Sequence, residues 1–219
     1  MAIPPPLERE IHHFTHVTNL PEMLAVGALV ADSLVSDQLQ CEVGDLGIKH
    51  TRRSLHVTCG ARGHPCDYVP FYFAPKSPML YKIAVGGVPH YQDGQDPLVY
   101  LSSTIGAVVD AGLPWVFSDG NCGAQLTEYF EDLAELDAAV DWPLQAAKMW
   151  NSTAEDPTRA TRRAAEFLVH QRLPWPLVRQ LVVRNETTAS LVRAYLTAAG
   201  HQQPVIVRPT WYYQGAKFS

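Results

Sequence analysis

Apolar and polar positions along this chain recur in short stretches, each too brief to fold alone. Residues 11–16, Ile-His-His-Phe-Thr-His, alternate as a short strand does. Asn19 then stands where a helix N-cap belongs, with Glu22 at the reciprocal capping position and Gly27 placed to end the run. From about 31 to 67 the chain turns polar, with Gly44, Gly47, Gly60 and Gly63, and reads as a long, helix-poor loop. Loops of that length inside compact domains usually carry function. The β-branched and aromatic run Tyr-Val-Pro-Phe-Tyr-Phe at 68–73 predicts a strand, with Pro70 marking an edge or a bulge. Ser77-Pro78 opens a helix, because serine caps and proline is tolerated at the first helical position.

Further on, short strands at 98–101 and 115–117 flank a small helix at 105–111. Residues 125–139 have helical spacing, with Leu126, Tyr129, Phe130, Leu133 and Leu136 on one face. Another helix is expected at 142–150, strands at 165–170 and 180–184, a helix at 187–199 and a last strand at 205–208. Strands and helices alternate without a strict βαβ repeat. That pattern predicts one α+β domain over 1–219 with a split, mixed β-sheet and surrounding helices.

Composition narrows the function. The 219 residues carry a formal charge of −5, which excludes coating nucleic acid by bulk electrostatics. Any nucleic-acid contact must come from a local basic patch and stacking. No apolar run is long enough for a membrane span. The amino-terminal stretch, with Pro4, Pro5 and Pro6, lacks the apolar core of a secretory signal. Four cysteines in such a chain read as reduced thiols, so a cytoplasmic location is expected.

Five clusters could carry chemistry. On the first strand His12 and His16 share one face, and His13 and Thr15 the other. Two histidines alone supply too little for a metal, whereas His13 or Thr15 could hydrogen-bond a ligand. Arg52-Arg53 lies in the polar stretch; a guanidinium fork suits planar anions such as a pyrophosphate. His56, Cys59, His64 and Cys66 are zinc-ligand types, but their spacing matches no common template and no metal is expected. The aromatic block 67–81 offers Tyr72 and Tyr81 as stacking faces, and the Ser77-Pro78 helix start leaves free amides suited to a nicotinamide or phosphate. Finally, Glu166 opens an apolar strand. A buried carboxylate there needs a donor or a functional reason.

In order along the chain, these pieces resemble the DarT family, the DNA-modifying toxins of DarT–DarG toxin–antitoxin systems. The resemblance rests on His-Phe-Thr-His-x-x-Asn-Leu at 13–20, Arg-Arg at 52–53 and Val-Pro-Phe-Tyr-Phe-Ala-x-x-Ser-Pro-Met-Leu-Tyr at 69–81. It continues through Gly-Leu-Pro-Trp at 112–115, Trp150, Arg-Arg-Ala-Ala-Glu-Phe-Leu-Val at 162–169 and Trp-Tyr-Tyr at 211–213. Residues 58–66 depart from the family pattern. The resemblance implies an ADP-ribosyltransferase fold and transfer of ADP-ribose from NAD+, as co-substrate, to the ring nitrogen of thymine in single-stranded DNA. It also implies a macrodomain antitoxin, DarG-like, that removes the mark. By position, Glu166 would be the catalytic glutamate and Arg52, matched without a gap, the reactive-site arginine. His13, Thr15, Arg52, Tyr72, Ser77 and Met79 would line the NAD+ pocket. Lys148, Arg159, Arg162 and Arg163 would hold DNA phosphates while Trp150 stacks on a base.

These residue types suit that chemistry. Breaking the nicotinamide–ribose bond leaves positive charge on the sugar, which a fixed carboxylate stabilises. An arginine stays protonated, so it can hold the anion of the acceptor nitrogen but is a poor base. Three rival readings remain: an ADP-ribosyltransferase with another acceptor (guanine in DNA, RNA or protein), an NAD+- or nucleic-acid-binding module without turnover, and a zinc hydrolase built on the histidines.

Overall fold

The computed structural model describes residues 3–35 and 39–215. Among these, the elements run β1 (Glu10–His16), α1 (Leu20–Val26), β2 (Ala28–Val30), α2 (Leu46–Arg52), β3 (Tyr68–Tyr72), α3 (Pro78–Ala84), β4 (Leu98–Thr104), α4 (Ile105–Asp110), β5 (Trp115–Ser118) and β6 (Tyr129–Phe130). They continue α5 (Leu136–Ala139), α6 (Trp142–Ala146), α7 (Arg159–Arg163), β7 (Glu166–His170), β8 (Arg172–Pro174), β9 (Gln180–Val183), α8 (Glu186–Ala198) and β10 (Val205–Val207). Eight strands form one sheet in the order β10-β9-β4-β1-β3-β7-β5-β6, and β2 pairs with β8 separately. All neighbours in the large sheet are antiparallel except β9 and β10, which α8 joins as a crossover. The mixed α+β sheet expected from the hydrophobic pattern is present.

β4 is covered on both faces, which is why its sequence is apolar or small throughout rather than alternating. Val99 and Leu101 face the main core with Leu20 and Leu24 of α1 and Val192 and Leu196 of α8. Leu98 and Tyr100 face a second core with Phe14 of β1 and Leu80 and Ile83 of α3.

The split lies between β1 and β3. β1 pairs with β4 along its whole length, yet it meets β3 only at His12↔Tyr72. Pro70 accounts for this: it has no N–H for a ladder, and its carbonyl accepts from Nδ1 of His13 at 2.9 Å instead. β3 is therefore an interior strand with a gap beside it, not the edge strand or bulge its proline suggested.

Three further expectations are corrected. The polar stretch 31–67 contains α2, started by Asp45, whose side chain accepts from the Ile48 amide. Residues 125–139 are not one helix. Tyr129-Phe130 pairs with Phe117 and Ser118 as the edge strand β6, a short α5 follows, and Leu126 is 94% exposed. The helix at 142–150 stops at Ala146.

His12 sits on the far face of β1, with Nδ1 2.9 Å from the Ser102 hydroxyl. Burial, then the charges of Arg208 and Arg163, lower its pKa to about 3. The unfolded chain binds that proton near pH 6.5 and the folded chain only near pH 3. Between these values the unfolded state holds more protons, so stability falls as pH drops, by at most about 1.4 kcal/mol per unit from this group. Urea unfolding at pH 5 and pH 7 should show a smaller pH dependence for His12→Gln than for the native chain.

Candidate functional site

A cleft of about 650 Å³ opens at the split. His13 and Thr15 line it from β1, Tyr68, Pro70 and Tyr72 from β3, Glu166 from β7, Arg52 from α2, and Pro78 and Met79 from α3. Glu166 and the His13 strand thus face one cavity. The β2–β8 pair adds Val30 and Arg172.

Glu166 sits at the first position of β7, opposite Tyr72 in the ladder. Its amide donates to the Ser118 hydroxyl at 3.1 Å, which anchors the strand start. The side chain is only 2% exposed, and it is satisfied as a buried carboxylate must be. Nη1 of Arg52 donates to both carboxylate oxygens, at 3.0 and 2.8 Å, and the Cys122 amide donates at 3.2 Å. Burial opposes the charge on Arg52, but Glu166 outweighs it and raises the guanidinium pKa further, so Arg52 is a fixed cation. Arg53, by contrast, turns outward to Asp32. Burial and then the Glu166 charge push the Tyr72 phenol and the Cys122 thiol up, leaving both neutral. Neither is a nucleophile, and Tyr72 is able to donate a hydrogen bond.

α2 is short and mostly polar, so ion pairs rather than a core hold Arg52 in place. Lys49 pairs with Asp32 and Glu42, and Lys82 of α3 pairs with the capping Asp45. On the β1 side, the Nδ1–H of His13 must donate to the Pro70 carbonyl, since a carbonyl only accepts. That leaves Nε2 as an acceptor, and burial lowers the ring's pKa and keeps it neutral.

Asn19 does not cap α1, although Gly27 ends the helix in the left-handed conformation (φ 70) as expected. Its amide nitrogen donates to the Thr15 hydroxyl at 2.9 Å and to the Cys41 carbonyl at 2.8 Å, while its oxygen accepts from the Cys41 amide at 2.9 Å. This two-way bond to the backbone of one residue ties the 39–45 segment to the cleft wall. Asn19→Ala should therefore speed limited proteolysis between 31 and 45 severalfold, with cleavage elsewhere unchanged.

The other residues singled out by sequence divide clearly. Met79 lines the cleft. Ser77 does not reach it: wholly buried, its hydroxyl caps α3 by accepting from the Leu80 amide. Of the residues expected at DNA, Lys148 is exposed, and Arg159 is half-buried with Nη2 donating to the Met149 carbonyl. Arg162 is held by Asp141 and Asp156. Arg163, 2% exposed, donates to the carbonyls of Pro75 and Lys76, and Trp150, 7% exposed, donates to Tyr213. Those two cannot offer a free guanidinium or a stacking face as folded, because non-local carbonyl and hydroxyl partners bury them.

His56 and His64 lie ring against ring at 4.7 Å, with His64 bonded to the Leu55 carbonyl. No three of the four histidines and cysteines at 56–66 bring ligand atoms together. Among the described residues such a grouping occurs at His16, Cys41 and Asp93. The sequence reading missed the Asn19 bond to Cys41 and the Cys122 amide on Glu166. The pairing of Asn19 with a peptide 22 residues on leaves no local signal.

The model of the family described as ssDNA thymidine ADP-ribosyltransferase, DarT, matches residues 12–213. A Mycobacterium tuberculosis DNA ADP-ribosyl transferase is 38% identical over 207 residues, 93% of this chain and 88% of that protein. A solved structure described as Thermus sp. 2.9 DarT in complex with ADP-ribosylated ssDNA superposes with a TM-score of 0.90 at 34% identity, covering 97% of this chain and 99% of that one. The same Thermus protein solved with NAD+ gives 0.84. A Thermosipho africanus DNA ADP-ribosyl transferase–DNA ADP-ribosyl glycohydrolase fusion is 23% identical over 209 residues, with this chain spanning half its length. A split mixed sheet whose gap holds a buried carboxylate against a fixed arginine, matched from His12 to Tyr213, thus belongs to a member of the DarT family of DNA ADP-ribosyltransferases.

Proposed function

We propose that this chain transfers ADP-ribose from NAD+ to a thymine ring nitrogen in single-stranded DNA, with the cleft as the NAD+ site, Glu166 as catalytic carboxylate and Arg52 as its partner at the acceptor base. The carrying observation is the Glu166–Arg52 pair at the cleft across from His13 and Thr15. As the bond from the nicotinamide nitrogen to ribose C1′ breaks, its electron pair leaves with nicotinamide and C1′ becomes cationic. The Glu166 carboxylate stabilises that charge beside the ribose hydroxyls. The thymine nitrogen gives up its proton to solvent and forms the new bond to C1′. Arg52, locked as a cation, stabilises the deprotonated base and does not act as the base itself. Nε2 of His13 is a free acceptor suited to the carboxamide N–H of nicotinamide, and Tyr72 and Met79 supply flat and apolar wall.

Single strands suit the site because the pairing edge must be unstacked to react. We assign the DNA phosphates to Lys148, which is exposed, and to Arg159, half-buried beside the exposed Met149. The fusion relative joins a similar domain to a glycohydrolase, and we assign this chain a macrodomain antitoxin that removes the mark. Among the described residues no helix is long and apolar enough to cross a membrane. The four cysteines are free, and we assign this toxin to the cytoplasm.

Mass spectrometry of a mixed-sequence oligonucleotide incubated with protein and NAD+ tests the reading. A gain of one ADP-ribose localised to thymine is the expected result. Label on guanine alone, or on protein and never on DNA, would overturn the acceptor.

A further inference from the structure

The α3 wall of the cleft is held in part by Arg163 and Trp150, two residues whose sequence suggested DNA contact. Lys76 takes the left-handed conformation at φ 60 without being glycine, a strained state that persists only where the surroundings over-determine it. Here they do. The Lys76 amide donates to the Tyr100 hydroxyl at 3.2 Å, and its carbonyl accepts from the Tyr213 hydroxyl at 2.6 Å and from Nη2 of Arg163 at 3.2 Å. The same Nη2 donates to the Pro75 carbonyl at 2.6 Å, and Nη1 donates to Oε1 of Gln145 at 3.1 Å. Nε1 of Trp150 donates to the Tyr213 hydroxyl at 3.0 Å, completing the set.

This clamp joins two sides of the cleft. Arg163 ends α7, three residues before Glu166. The turn it grips leads directly into the Ser77 cap of α3, which carries Met79 into the cleft wall. A guanidinium whose Nη2 holds two successive carbonyls while Nη1 holds Gln145 of α6 fixes the spacing between the chain that leads into the Glu166 strand and the α3 wall. A lysine has neither the fork nor the reach to do the same.

We propose that Arg163, Tyr213 and Trp150 are positioning residues that set the width of the NAD+ cleft between Glu166 and Met79, and that they do not touch DNA. This rests on the assignment of the cleft to NAD+, and the experiment separates the two.

Steady-state kinetics on the full chain are measured for Arg163→Lys, Arg163→Gln and Tyr213→Phe, varying NAD+ at saturating oligonucleotide and the reverse, at several salt concentrations. Tyr213→Phe keeps the ring and removes the hydroxyl that bonds Lys76 and accepts from Trp150, while the Arg163 bonds stay, so it retains the fold if Arg163→Gln does not. For Arg163→Lys and Tyr213→Phe the KM for NAD+ should rise roughly tenfold, with kcat changed less. The KM for oligonucleotide and its salt dependence should stay as in the native chain. An unchanged KM for NAD+ in both variants overturns the proposal. So does a raised oligonucleotide KM whose salt slope drops by about 0.7 in Arg163→Gln, the mark of one lost phosphate contact on a single strand. His13→Ala serves as the reference. If it leaves the KM for NAD+ unaltered, the cleft assignment fails; if it raises that KM while the clamp variants do not, the clamp alone fails.

Discussion

Glu166→Gln is expected to lower ADP-ribose transfer by roughly 10²–10³-fold, the range for losing one preorganised group aimed at charge that develops in the transition state. The substitution keeps the volume, one acceptor oxygen for Arg52 and the backbone bond that anchors the strand start on Ser118. It leaves the Arg52 charge uncompensated, so the fold is checked by unfolding. What it removes is a full negative charge at a site 2% exposed, where water cannot substitute for it. The loss should fall on kcat, because the cationic sugar exists only in the transition state while a hydroxyl of bound NAD+ can still bond an amide oxygen. Nicotinamide release and oligonucleotide mass, followed side by side, read the effect. Turnover within tenfold of the native rate would move the catalytic charge to another residue.

Much of the fold could be read in the sequence because several of its signals are local. The alternation of 11–16, the Ser77-Pro78 cap and the Gly27 stop each act within a few residues, and each appears where expected. α2 could not be read from periodicity. Gly47, His50 and Thr51 leave it no apolar stripe, and Lys49 holds it through Asp32 and Glu42 far from the i, i+4 spacing that a helix reader weighs. The opposite error occurred at 125–139, where apolar residues fit a helical template but Tyr129-Phe130 gains more from pairing with β5.

The site shows the same division. Glu166 was conspicuous as a carboxylate opening an apolar strand, and so was its need for a partner. Which arginine answered that need was carried by resemblance, and the structure puts Arg52 on the carboxylate and Arg53 outside. The charge at 163 read as a phosphate contact because sequence shows the guanidinium but not the carbonyls at 75 and 76 that bury it.

The Arg52–Glu166 pair also makes a prediction about stability whose sign is unusual. Removing one partner of a buried ion pair leaves the other desolvated and uncompensated, which costs about 3–5 kcal/mol. Arg52→Gln should therefore destabilise the chain strongly, since Glu166 would keep only the Cys122 amide as donor. Adding Glu166→Gln should restore part of that loss, because two neutral amides can bond one another and neither carries a charge into the interior. The double variant is expected to be more stable than Arg52→Gln by about 1–3 kcal/mol while remaining inactive, so its loss falls well short of the sum of the two single losses. Urea unfolding of the native chain, both single variants and the double variant gives the cycle. Additive losses would mean that the pair is screened by solvent in the free protein and that Arg52 leaves Glu166 without cost. A positive coupling would show the opposite: the free enzyme holds its catalytic carboxylate fixed against Arg52, in place for the cationic sugar before NAD+ arrives.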